Sequence, residues 1–408
     1  MVVRREAWVP MGVAVFALLA AVYLGSRAFV LGYATAMVFL LFALNKFRVK
    51  KLAIIGAACL LLAAASILAL AFKTDSSKGR MLIYKVSSSI LKEHWPKGIG
   101  HDKFKTTYLH YQAAYFSEGE YTEKELLLAG NTYYAFNDHY QYAIEWGLLG
   151  ALAMSVAIGV LLYGIVRVYR RQHQGKRTLY HIACVQLIAI LIAAFFTHVY
   201  DKLLFQLLAL CCIGVIVREA TKPDRVGAVL SATAGLAIAV LLLYYSVGHK
   251  VRHADDHRHW KEGLALSRAG IAQEGLAMFE TAYPNLHNHG PFLESYGYQL
   301  FSLRHYEKAA AILQEALQYR LHHRIYLALG KCYMEMGRVP EAEKALLKAV
   351  HMVPNRFESR LALFDFYDRT GRDSDATRWG VSILELPIKV PSLHVDRIRE
   401  EVANRIKN

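Results

Sequence analysis

The stretch from Tyr326 to Pro354 reads YLALGKCYMEMGRVPEAEKALLKAVHMVP. Leu329-Gly330, Tyr333, Ala342, Leu346, Ala349 and Pro354 stand at the spacing of two antiparallel helices. Small residues allow close approach and larger ones fill the gap to a neighbour. An earlier copy has Tyr296-Gly297, Leu300, Ala309, Leu313 and Ala316, and the two are offset by 33 residues (Gly297 to Gly330). A later copy has Leu363, Tyr367, Ala376 and Pro387, with Phe364 in the glycine slot. A degenerate copy begins near Trp260-Lys261-Glu262-Gly263. Self-similarity at such a period marks stacked helical units that bury a continuous core.

This pattern resembles the tetratricopeptide repeat, whose period is about 34 residues. An α-solenoid is expected over 255–390, within a domain of residues 251–408. The resemblance implies binding of a protein or peptide on the concave face. A stabilising cap on the rest of the chain is the plainer alternative.

The rest of the chain is a different material. Of 408 residues, 55% are hydrophobic and 20% charged. That is more apolar than an ordinary soluble domain and excludes disordered, collagen-like and disulfide-scaffold classes. The excess lies in residues 1–250. Seven runs approach the roughly 20 residues a spanning helix needs: about Trp8–Leu24, Phe29–Leu44, Leu52–Phe72, Tyr142–Val166, Ile182–Val199, Leu203–Val217 and Val226–Val247. The first has a basic start but no small-residue cleavage site, so it reads as a retained span. The expected fold class is all-α: a polytopic transmembrane helix bundle followed by an α-solenoid.

The formal net charge of +15 fits this topology better than a nucleic-acid partner. Arg4 and Arg5, then Lys46, Arg48, Lys50 and Lys51, then Arg167, Arg170, Arg171, Lys176 and Arg177, then Arg218, Lys222 and Arg225 fall on one side if there are seven spans. Basic loops stay cytoplasmic. The loop 73–141 and the repeat domain are then external. Cys59, Cys184, Cys211, Cys212 and Cys332 lack metal-ligand spacing and read as packing residues.

Long loops on a rigid scaffold are where chemistry concentrates. This one holds Ser77-Lys78-Gly79-Arg80-Met81-Leu82-Ile83-Tyr84-Lys85 and Trp95-Pro96-Lys97-Gly98-Ile99-Gly100-His101. Helical spacing over 81–94 places Arg80 at a helix start, and Gly98 and Gly100 let the chain turn back. A second stretch, NTYYAFNDHYQYAIEWGLLG over 131–150, leads into the fourth span.

Together these motifs resemble the O-antigen ligase-related superfamily of O-antigen ligases, O-antigen polymerases and protein O-oligosaccharyltransferases. The matching residues are Gly79-Arg80 with Ile83-Tyr84-Lys85, Pro96–Gly100, Phe136-Asn137-Asp138 and Glu145–Gly150. The YQAAYF run at 111–116 and the repeat domain look like the branch found in Bacteroidota. Phe136 departs from the pattern, since many members carry histidine there. Members also have more spans than the seven counted.

The resemblance implies a bacterial inner-membrane, multi-pass enzyme with loop and repeat domain on the periplasmic side. It would move a glycan from a lipid-pyrophosphate donor, such as undecaprenyl pyrophosphate, to a glycan, lipid or protein hydroxyl. No cofactor, metal or nucleic acid is implied. An arginine fork suits a leaving pyrophosphate, which makes Arg80 the candidate catalytic cation. Lys78 and Lys85 are expected to assist at the substrate. Gly98, Gly100, Asn137 and Glu145 are expected to line the substrate site. The base is His139, Asp138 or His101.

Plainer readings exist for each: an interfacial arginine at Arg80, a helix N-cap at Asn137, a cavity or cap residue at Glu145. His198, Tyr200, Asp201 and Lys202, in the turn before the sixth span, are either a site facing the bundle or a solvated turn. The competing function is a non-catalytic membrane scaffold whose repeats organise envelope assembly.

Overall fold

The computed structural model describes residues 2–43, 74–170, 178–221, 225–248 and 253–407. Among these there are eighteen α-helices and no strand. The chain divides into two compact units. One comprises the described residues of Met1–Ser77, His94–His101 and Tyr134–His249. The other comprises Lys78–Glu93, Asp102–Tyr133 and the described residues of Lys250–Asn408. The second unit thus takes in most of the loop 73–141 together with the repeats.

The first unit contains α1 (Val2–Tyr23), α2 (Arg27–Ala43), α6 (Asp138–Arg170), α7 (Thr178–Ala193), α8 (Leu203–Thr221) and α9 (Arg225–Leu243), ending in a π turn. Small residues let these helices meet closely, as membrane packing favours. Gly32 of α2 faces the Ala189 carbonyl of α7, which a Cβ would approach to 2.6 Å. Ala14, Ala36, Leu40 and Val185 form one core, and Ile165, Tyr180, Cys184, Leu187, Cys212 and Ile216 another. Leu149, Leu152, Val156 and Val160 of α6 point outward and are exposed. Such an apolar outer face suits lipid.

Two helices are long and apolar enough to cross a membrane by length and composition: Asp138–Val168 and Leu203–Thr221. They coincide with the fourth and sixth expected spans. The first, second, fifth and seventh fall on shorter apolar helices. The third lies outside the described residues. The fifth was expected to reach Val199, yet α7 stops at Ala193 and a turn follows. The apolar run continues past the helix because Ala193, Ala194 and Val199 are core residues of that turn.

The second unit begins with α3 (Thr74–His94, whose first residues belong to the other unit), α4 (Phe104–Ser117) and α5 (Glu123–Leu128). Then follow antiparallel pairs: α10 (Ala254–Arg268) with α11 (Ala272–Leu286), α12 (Gly290–Ser302) with α13 (Tyr306–Tyr319), α14 (His323–Glu335) with α15 (Val339–Met352) and α16 (Phe357–Arg369) with α17 (Asp373–Leu384). A last helix, α18 (Leu393–Lys407), packs on α17. A Cβ at Gly297 would meet Leu313 at 2.5 Å, and one at Gly330 would meet Leu346 at 2.6 Å. In the last pair the sizes are exchanged. Phe364 fills the glycine slot of α16, and Gly380 stands opposite in α17, where a Cβ would meet the Phe364 ring at 3.2 Å.

The repeats also hold the loop. Helix α4 packs against α15 and α13. Buried Gln112 donates to the carbonyls of Gly130 and Met352. Asn355 Nδ2 reaches the carbonyls of Leu126, Leu127 and Ala129 at 3.0, 2.9 and 2.8 Å. The His323 N–H donates to Asn131 Oδ1, and Asn131 Nδ2 lies 2.9 Å from His323 Nδ1. The Arg320 guanidinium covers the Tyr133 ring at 5.3 Å.

Candidate functional site

Helix α6 is broken. At Gly147 the backbone takes φ +61° and ψ −146°, conformations closed to side-chain-bearing residues. The turn at 96–100 fills the break. Ile99 N–H donates to the Ile144 carbonyl at 3.0 Å, Gly100 N–H to the Glu145 carbonyl at 2.8 Å, and Leu148 N–H to the Pro96 carbonyl at 2.9 Å. These bonds replace part of the lost helical ladder. Gly98 and Gly100 have φ of +79° and +99°. A Cβ on Gly98 would stand 2.5 Å from the Glu145 carbonyl oxygen, and one on Gly147 2.0 Å from that of Pro96. The Pro-x-Gly-x-Gly run at 96–100 and the Glu-x-Gly-x-x-Gly run at 145–150 are thus two halves of one clasp.

Beside the clasp, the buried Glu145 carboxylate accepts from Gln141 Nε2 at 3.1 Å. His101 Nδ1 stands 3.9 Å from its other oxygen, and the exposed His101 ring packs on Trp146 at 5.4 Å. Glu145 is therefore a held interior carboxylate, with His101 at its solvent side.

The start of α6 forms a second centre. Asn137 Oδ1 accepts the Tyr140 N–H at 3.0 Å, which makes it the helix N-cap. Asp138 reaches across to the turn after α7. Its N–H donates to the Ala194 carbonyl at 2.8 Å, and its Oδ2 accepts the N–H groups of Val199 and Tyr200 at 2.7 and 3.0 Å. His139 Nε2 lies 3.3 Å from the Leu191 carbonyl, while its Nδ1 is buried without a hydrogen-bond partner among the described residues. Both side chains are directed into protein, toward the turn at 194–202.

That turn carries a stacked pair. The Tyr134 and His198 rings lie 4.2 Å apart with an interplanar angle of 5°, and Phe136 meets the imidazole edgewise at 5.7 Å. Tyr134 Oη donates to Asp201 Oδ2 at 3.1 Å. His198 Nδ1 and Tyr200 Oη are buried without hydrogen-bond partners among the described residues. Burial, then neighbouring Lys202, lower the pKa of His198, against the pull of Asp138 and Asp201. Sequence reasoning left this turn open between site and solvent. The aromatic run at 133–136 and the ionisable run at 198–202 were its signals.

Lys78, Arg80 and Lys85 lie on α3 in the other unit. Arg80 sits inside this helix, not at its start, because the polar residues 74–80 continue the turn begun before the apolar spacing. Lys85 donates to Tyr115 Oη at 2.6 Å and Glu125 Oε1 at 3.0 Å. Its ammonium thus ties α3, α4 and α5 together while the side chain stays exposed.

Against this geometry, residues 12–155 match the family model described as O-antigen ligase. Residues 300–358 match that of the tetratricopeptide repeat. The matched ligase segment takes in Arg80, the clasp and Asn137–Glu145, and stops short of the turn at 194–202. Among solved structures, the chain is similar to one titled "MamA RS-1 ArsTM double mutant", at 20% identity and a TM-score of 0.31, covering 38% of this chain and 84% of that one. Another is YrrB, titled a TPR protein with an unusual peptide-binding site, at 16% identity and a TM-score of 0.29, covering 37% and 77%. No curated protein matches the chain.

Proposed function

We propose that this chain, which carries the O-antigen ligase family segment followed by a tetratricopeptide repeat domain, transfers a glycan from a lipid-pyrophosphate donor to an acceptor hydroxyl. The observation that carries this reading is the family match over 12–155, which contains both halves of the clasp. The protein works as a multi-pass protein of a bacterial inner membrane. Its repeat domain and the loop segments packed on it stand at the periplasmic face.

Transfer breaks a bond between an anomeric carbon and a phosphate oxygen. Negative charge grows on the leaving pyrophosphate, and a fixed cation lowers that barrier. Arg80 takes this role on its chemistry: a guanidinium stays charged and matches phosphate oxygens in pairs. Lys78, two residues away on the same helix, adds charge. The clasp fixes the backbone on both sides of Glu145. Asp138 and His139 hold the turn at 194–202 rather than meeting substrate. Acceptor class, whether lipid, glycan or protein, follows from the part of the chain that docks it, and the repeat domain recruits that partner.

The test is complementation of a host lacking the gene, read as the surface glycan ladder. Arg80→Ala is expected to abolish the ladder at unchanged protein level. A full ladder from Arg80→Ala, lost instead on deleting 255–408, would replace the transferase reading with the scaffold one. Phe136, at the position where the resemblance leads to the expectation of a histidine, favours that alternative.

A further inference from the structure

A transferase of this kind must take a proton from the acceptor hydroxyl. The side chain that does so needs a ring held still, a nitrogen open to the acceptor, and negative charge nearby to receive the positive charge that develops. We propose that His198 is this general base, an inference that rests on the transferase reading above.

The ring is fixed on both sides. Tyr134 lies flat on it at 4.2 Å and Phe136 abuts its edge at 5.7 Å. Tyr134 is itself tethered through Asp201 at 3.1 Å. The turn that carries His198 is pinned at the next two residues, because Asp138 Oδ2 accepts the N–H groups of Val199 and Tyr200. The imidazole is half-buried with Nδ1 on its inner side, so its Nε2 edge is the one that meets an acceptor. The two carboxylates that act on it, Asp138 and Asp201, favour the imidazolium once a proton arrives. Burial and Lys202 keep the ring neutral beforehand.

The comparison with His139 is decisive within this unit. One nitrogen of His139 lies against the Leu191 carbonyl and the other is buried. Neither is left for a substrate.

The step balances simply. The acceptor O–H gives its proton to His198 Nε2 as its oxygen bonds to the anomeric carbon. The bond from that carbon to the pyrophosphate oxygen breaks, and the lipid pyrophosphate leaves with the electron pair. The imidazolium then returns its proton to water.

The experiment uses spheroplasts of the complemented host, full-length chain, and the glycan ladder made from the host's own lipid-linked donor. His198→Ala is expected to cut ladder synthesis by about 100-fold or more. Added imidazole is expected to restore part of it, while His198→Asn, which occupies the space, gains nothing. A full ladder from His198→Ala overturns the assignment. So does a loss that imidazole leaves untouched, because a merely structural role gives that result. If the unchanged gene makes no ladder, the transferase reading has failed and this one falls with it.

Discussion

Gly147 and Gly98 are where one atom decides the most. Each has a positive φ, and each would drive a Cβ into a backbone carbonyl. A non-glycine residue in the left-handed region costs roughly 1–2 kcal/mol before any clash. At 2.0 Å from the Pro96 oxygen, the clash at Gly147 is the larger effect. Gly147→Ala is expected to lower the melting temperature of the detergent-solubilised protein and to remove the glycan ladder. Gly79→Ala supplies the contrast, since nothing stands within 4 Å of a Cβ there. If both substitutions behave alike, the clasp does not carry the fold. Each half of the clasp was legible in the sequence as a glycine motif. Their union was not, because it joins residues some fifty apart and the bonds run through main-chain atoms. Asn137 could be anticipated as a cap from its type alone. The inward direction of Asp138 could not, since Ala194 and Val199, among its partners, sit on a turn that the apolar pattern had assigned to a helix.

At the level of helices, the last repeat shows how a pattern survives the loss of its mark. Phe364 looked like a weak match. The small residue it displaced is across the pair, at Gly380. Phe364→Gly alone is expected to cost about 3–5 kcal/mol through the cavity it leaves. Gly380→Leu alone overpacks against Phe364 and Ile406. Made together, the two recreate the Gly330–Leu346 arrangement, and the pair is expected to lose less than the sum of the singles in denaturant melts. Strict additivity would sink the idea that volume was exchanged.

The docking of the loop segments on α13 to α15 has its own signature in pH. Burial, with neighbouring His322 and arginines behind it, pushes His323 down to about 3, and His322 falls to about 4 through burial and Arg320. Exposed in an unfolded chain, both titrate near 6.5. As pH falls through 6.5 the unfolded chain binds protons first, so the stability held by the neutral rings is full above that point and drains away toward pH 4. Each histidine contributes at most about 1.4 kcal/mol per pH unit in that window. Proteolysis between residues 117 and 133 is expected to speed up at pH 5 relative to pH 7. Asn355→Ala, which frees three carbonyls, is expected to do the same at pH 7.

For the whole chain, composition separates a membrane-type half from a repeat half near residue 250, and the structure groups the chain into two compact units. It does not keep the loop on the membrane side of the ledger. Residues 78–93 and 102–133 join the repeats through Gln112, Asn131, Tyr133 and Asn355. Such contacts are invisible to periodicity, which reports each helix separately. Deleting 255–408 is therefore expected to do more than remove a binding module. It strips the packing partner of α4, so labelling of a cysteine introduced by Ala113→Cys, a buried position of α4, should rise sharply in cells while α6 still inserts. Unchanged labelling would mean the loop folds without the repeats.

The grip of Asn355 has a consequence for how such a chain can diverge. Its amide holds the carbonyl oxygens of Leu126, Leu127 and Ala129. A carbonyl is the same in every residue. At 126–129 the anchor is blind to which side chains the segment displays, so substitutions that reshape its exposed surface there leave that mooring intact. Change at the rim and constancy at the root are then separately heritable, and one solenoid can carry many differently decorated loops.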